Sequence, residues 1–208
     1  MNLLDNFINE CDIALKTLSF KKSGTGRSYP VNETSSCLSR EEKNLSAQLM
    51  RVNLAGEVAA QALYRGQAMV CKDTEIKNHL VQAGEEETDH LIWCTKRLEE
   101  LNGKPSILNP VWYAGSFAIG AIFGSFGEKT SLGFVEETEK QVVKHLERHL
   151  DKVSKNDTET IEILETMRAD EDEHAQEALE NGSESLSEPT KKLMSFTAKV
   201  MTSSSAYI

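Results

Sequence analysis

EEETDHLIWC at 85–94 and MRADEDEHAQEAL at 167–179 each carry a glutamate followed three residues later by a histidine, Glu87/His90 and Glu171/His174. Around the first pair Leu80, Ala83, Leu91, Cys94, Leu98 and Leu101 recur at helical steps. Around the second, Leu164, Met167 and Ala178 do the same. Both pairs therefore interrupt the apolar stripe of an amphipathic helix rather than lying opposite it. Residues three apart project from one helix face, so each pair offers a carboxylate and an imidazole to the same point.

Two further long helical patterns supply single acids. In the first, Met50, Leu54, Glu57, Gln61 and Tyr64 share one side. Gly56 there suggests the close approach of a neighbouring helix. In the second, the stripe is Val135, Glu139, Val142, Leu146 and Leu150; Glu139 falls on it, Glu137 does not, and Glu136 is intermediate. Glu57 precedes Glu87 by 30 residues, and Glu139 precedes Glu171 by 32. At about 1.5 Å per residue, each half places its Glu and its ExxH pair at mid-height of an antiparallel helix pair.

A Glu from each of two helices plus ExxH from each of the other two is the ligand set of a ferritin-like di-iron site in a four-helix bundle. Four carboxylates share a bundle core only when cations neutralise them. Mixed oxygen and imidazole donors suit redox-active iron, with manganese the main rival. The expected ligands of two iron ions, and hence the catalytic residues, are Glu57, Glu87, His90, Glu139, Glu171 and His174. His145 is either a hydrogen-bond partner of one of these ligands or a plain helix-surface residue.

The rest of the chain fits this frame. Long helices are expected over about 40–70, 75–102, 131–153 and 158–180. The breaks fall at Lys72-Asp73, Asn102-Gly103-Lys104-Pro105, Asn156-Asp157 and Asn181-Gly182. Ser39-Arg40-Glu41-Glu42 reads as a capping box. A short last helix covers 189–201. An N-terminal amphipathic helix over 3–18 is followed by a Gly/Ser-rich linker over 21–38. The fold class is thus all-α, a ferritin-like four-helix bundle with a long crossover and an N-terminal helix. Residues 1–38 form an N-terminal unit and 39–208 the di-iron domain. Packing of the 3–18 helix on the bundle, a partner or a membrane is left open.

The crossover is unusual. From Pro105 to Gly127 no Asp, Glu, Lys or Arg occurs. About 20 apolar residues suffice to cross a bilayer, yet Asn109-Pro110, the serines and the glycines within make a deeply buried or membrane-touching helix the expectation. Across the chain, 33 acids against 23 bases give a formal charge of −10, which argues against nucleic acid as a partner. The four cysteines form no CxxC pair, so neither a disulfide framework nor a cysteine zinc site is expected. The first residues carry acids and no basic stretch, unlike a signal peptide.

RVNLAGEVAAQALYRGQ at 51–67, EEETDHLIW at 85–93, KPSILNPVWYAGSFAIGA at 104–121, ETEKQV at 137–142 and MRADEDEHAQEAL at 167–179 resemble the demethoxyubiquinone hydroxylase family of ubiquinone biosynthesis. The resemblance covers about 45–205. It carries the family's metal ligands onto the same six residues, with Leu54 standing where members often have His. It implies hydroxylation of a demethoxyubiquinol ring with O2 at a di-iron centre. It also implies a substrate whose prenyl tail lies in the bilayer, and a peripheral site on the cytoplasmic face of the bacterial inner membrane. The chain would then act alone, as a homo-oligomer or within a quinone-biosynthesis complex. On this reading the crossover face with Trp112, Tyr113, Phe117, Ile119 and Phe123 dips into lipid and admits the tail; plain bundle core is the alternative for the same residues, and the two can coexist. The rivals are an iron-handling protein of the ferritin or rubrerythrin type and a non-enzymatic scaffold.

Overall fold

Each break expected from the sequence closes or opens a helix. Ser39 accepts from the Glu42 amide while its own amide donates to the Glu42 carboxylate, 2.8 Å; the capping box starts the first bundle helix. Asp73 caps the next helix by accepting from the Glu75 and Ile76 amides. Pro110 occupies the first turn of the crossover helix, where its missing N–H costs nothing.

A computed structural model of the chain describes residues 3–21, 23–31 and 37–207, without the side chains of 3, 4, 6 and 7. Its helices are α1 (Leu3–Leu18), α2 (Arg40–Val70), α3 (Thr74–Glu100), α4 (Asn109–Ser125), α5 (Glu128–Leu150), α6 (Thr158–Glu180) and α7 (Glu188–Ser205), with no strand among the described residues. Short loops join α2 to α3 and α5 to α6 as two hairpins, and α2 packs on α3 and α5 on α6. Met50, Leu54, Val58, Leu91, Trp93, Leu98, Leu146, Ile163, Leu164 and Met167 fill the space between the hairpins.

The crossover α4 lies along α2. The contact is glycine-mediated: a Cβ on Gly120 would stand 2.3 Å from the Leu63 carbonyl, and one on Gly66 2.2 Å from the Phe117 carbonyl. Gly56 plays no such part, because a Cβ there meets nothing within 4 Å. The close helix approach expected at Gly56 is therefore one helix face away, at Gly66.

The glycine face also settles which side of α4 turns inward. Tyr113 is buried, Phe117 packs on the core and Phe123 stacks on Phe134 at 4.1 Å. Trp112 donates to the Ser205 hydroxyl of α7, 3.0 Å. The aromatic members of the set thus follow the core reading rather than the lipid-facing one. The outward side instead shows Val111, Ile122 and Phe126, with Ile107 just before the helix. Among the described residues no helix is long and apolar enough to cross a membrane.

α1 packs on the bundle. Thr17 donates to Gln61 of α2, 2.8 Å, in a fully buried contact, and Arg65 pairs with Glu10. Leu3, Leu4 and Phe7, apolar residues of the helix expected over 3–18, fall outside the described side chains, and 32–36 of the linker outside the described residues. Its described part is tied down: residues 24–29 bond to α3 and α6 through Thr25, Arg27 and Tyr29.

Candidate metal centre

Glu57 comes from the middle of α2, Glu87 and His90 from α3, Glu139 from α5, and Glu171 and His174 from α6. All six are buried, none more than 5% exposed. Donor atoms of Glu57, Glu87, His90 and Glu171 lie within 4.8 Å of one another. His90 Nδ1 is 3.0 Å from Glu87, 3.3 Å from Glu171 and 3.7 Å from Glu57. His174 Nδ1 is 3.2 Å from Glu87 and 3.6 Å from Glu171. Glu87 and Glu171 are thus shared between the two imidazoles, with Glu57 on the His90 side. Glu139 accepts from the Tyr64 hydroxyl, 2.7 Å. Burial raises its carboxyl well above the ordinary value, and the charges of Glu171 and Glu87 push it further.

The outer nitrogens repeat one arrangement. His90 Nε2 lies 2.8 Å from Asp170, and His174 Nε2 lies 3.0 Å from Glu86. Each Nε2 thus meets a carboxylate outside the cluster, while each Nδ1 faces the carboxylates within it. The partner of each imidazole is the acid immediately before the other helix's ExxH glutamate. The hairpins therefore hold one another's histidines. Neither Asp170 nor Glu86 stands out on helices this acidic. The available signal was the repeat of acid-Glu-x-x-His, Glu86-Glu87…His90 and Asp170-Glu171…His174.

The electrostatics test what the cluster is built to hold. Burial pushes Glu57 well above the usual carboxylate range. Burial also acts on Glu87, but the two imidazoles outweigh it and hold that carboxyl low. Burial tends to discharge both histidines, yet the carboxylates around them keep both well above the ordinary value. Glu57 Oε2, Glu87 Oε1, Glu139 Oε2, Glu171 Oε2 and His174 Nδ1 are buried without a hydrogen bond. An unsatisfied buried polar atom costs about 1–3 kcal/mol, and five on four neighbouring helices are not how a merely structural core is built. Hard divalent cations satisfy such a donor set: they replace the protons otherwise needed and use the free oxygens.

His145 lies apart from this cluster. Its ring is 4.0 Å from that of His149. Burial pushes it down to about 4, and the charges that act on it are Arg148 and Lys152. Tyr64 sits on the expected α2 stripe, but its bond to Glu139 was not foreseen. The same is true of Trp93, whose ring packs 5.3 Å from that of His90.

A helical bundle with glutamates and two imidazoles meeting inside its core defines the ferritin-like carboxylate class. Within that class the chain belongs to the family described as ubiquinone biosynthesis protein COQ7, whose profile matches residues 44–205. It is 49% identical over 209 residues to a 3-demethoxyubiquinol 3-hydroxylase of Legionella pneumophila (strain Paris), covering 100% of this chain and 98% of that protein. Proteins of the same name from Nitrosococcus oceani and a Polaromonas species are 48% and 45% identical; 100% and 99% of this chain is covered, and 98% of each relative.

Proposed function

We propose that this chain is a monooxygenase that hydroxylates the ring of demethoxyubiquinol with O2 at a di-iron centre. The observation that carries the reading is a buried cluster of Glu57, Glu87, His90 and Glu171 with donor atoms within 4.8 Å of one another, His174 Nδ1 against Glu87 and Glu171, and carboxylate oxygens left unbonded. It occurs in a chain 49% identical along its length to proteins named for that reaction. Glu57 and His90 would hold one ion, Glu139 and His174 the other, and Glu87 and Glu171 would be shared. Reduced iron supplies the activation of O2 when bound. The chain's own part is to fix the donors and keep water out. Asp170 and Glu86 orient the imidazoles, Tyr64 orients Glu139, and Met50, Leu54, Leu91, Leu164 and Met167, all fully buried, belong to the dry core of the same four helices.

An apolar substrate would reach Glu139 through the α2–α5 seam, whose lining is mostly apolar. Ala60, Leu63, Tyr64, Phe134, Val135, Thr138 and Glu139 line a closed seam there with no room for a water molecule, so entry requires the helices to part. Phe134, on its wall, stacks on Phe123 of α4. Val111, Ile122 and Phe126 on the outer side of α4 suit peripheral docking on a bilayer. We place the protein on the cytoplasmic face of the bacterial inner membrane, where the prenylated quinol reaches the seam from the lipid.

The test is the quinone profile of the native host lacking this chain. Demethoxyubiquinone should accumulate, and plasmid-borne wild type but not Glu171→Ala should restore ubiquinone. Normal ubiquinone in the deletion strain would favour iron handling instead.

A further inference from the structure

The family match begins at residue 44, yet a residue well before it touches two neighbours of His90. Residues 24–29 lie along α3, and two glycines let them do so. A Cβ on Gly24 would stand 2.0 Å from Asp89 Oδ1, and Gly26 has φ +98. Between them Thr25 bonds Asp89 through both its amide, 3.1 Å, and its hydroxyl. Tyr29 then donates to Glu100 at 3.1 Å.

This anchored turn presents Arg27. Its guanidinium grips Asp170 with two bonds, 2.7 and 3.0 Å, and lies 4.9 Å above the Trp93 ring. Both partners are neighbours of His90. Asp170 Oδ2, which accepts from Arg27, also accepts from His90 Nε2 at 2.8 Å, and Trp93 packs on the imidazole ring. One planar cation thus braces the two groups that set the direction of His90.

We propose that Arg27 is a positioning residue of the metal centre, and that the N-terminal strap exists to place it: the strap fixes Asp170, and Asp170 fixes the His90 imidazole toward the carboxylate cluster. The inference rests on the di-iron reading of that cluster. It separates positioning from general stability. The Arg27 side chain is 40% exposed, and an ion pair that open contributes little to a fold. Removing a partner that orients a ligand histidine typically weakens metal affinity about 10–100-fold.

The experiment is anaerobic Fe2+ binding to the full metal-free chain against a competing chelator, with near-infrared circular dichroism of the ferrous form. Arg27→Ala should still take two irons at saturation, but one about tenfold more weakly and with a shifted spectrum. Arg27→Lys, which keeps the charge but not the two-pronged grip, should recover only part. Arg65→Ala breaks the pair with Glu10 that holds α1 and should change affinity less than twofold. Unchanged affinity and spectrum in Arg27→Ala would overturn the proposal, as would equal weakening in Arg65→Ala. A wild-type chain that takes up no iron would instead overturn the di-iron reading, and this inference with it.

Discussion

Replacing Gly120 by Ala tests how α4 is held, because the structure gives opposite signs for the same change at two places in one helix. At Gly120 the new Cβ would stand 2.3 Å from the Leu63 carbonyl oxygen and 3.0 Å from the Leu63 Cα. A carbon–oxygen contact ordinarily sits near about 3.3 Å, so α4 must back away from α2 by roughly 1 Å. The obstacle is helix backbone and has no rotamer to swing aside. Such overpacking costs typically about 1–3 kcal/mol, here the upper part of that range. It is offset by about 1 kcal/mol from replacing a helical glycine. A net loss of about 1–2 kcal/mol lowers the Tm of a chain this size by roughly 2–8 °C. At Gly115 a Cβ meets nothing within 4 Å, so Gly115→Ala should raise the Tm by roughly 2–4 °C. Gly66→Ala opposes the same helix at the Phe117 carbonyl, 2.2 Å away. Once either alanine has moved the helices apart the other costs less, so the double variant should lose less than the sum. The assay is thermal unfolding by circular dichroism of the metal-free chain. Equal shifts at 115 and 120, or strictly additive losses at 66 and 120, would refute the crossing.

Glu57→Gln should stabilise the metal-free chain, because burial makes its charged form unfavourable. It should also abolish much of the stability gained on adding Fe2+, which for the wild type is about 2.7 kcal/mol per site at a hundred times Kd; a melting series with and without iron checks both. His145 and His149 are held down to about 4 and about 2, chiefly by burial. Below about pH 6.5 the unfolded chain binds protons that the folded one refuses, so stability falls with pH, by about 2 kcal/mol per histidine at pH 5. Urea unfolding at pH 7 and pH 5 should show that loss reduced in His149→Gln. On α4, Ile122→Asp should weaken binding to anionic liposomes while leaving iron content unchanged, as read by co-sedimentation and metal analysis.

The helix boundaries were legible because their punctuation is local: Ser39, Asp73, Asn102-Gly103 and Asn181-Gly182 each act on the backbone beside them. Glu139 was legible for a different reason. It lies on an apolar stripe, where a buried acid contrasts with its neighbours. The inward side of α4 was not readable, because a helix apolar all round gives no contrast. Its orientation is decided by where Gly120 and Gly66 let two backbones meet. Asp170 and Glu86 were hidden among other acids, and their role depends on which histidine the opposite hairpin delivers. Residues 24–29 read as linker because the glycines that let the strap lie against Asp89 are also what flexible linkers are made of.

The most direct test is a single-turnover reaction of the reduced, iron-loaded chain with demethoxyubiquinol under 18O2. Mass spectrometry should find one 18O atom in a new ring hydroxyl, with no such product from Glu171→Ala. Iron oxidation without hydroxylated quinol, or a hydroxyl oxygen drawn from water, would contradict a monooxygenase at this cluster.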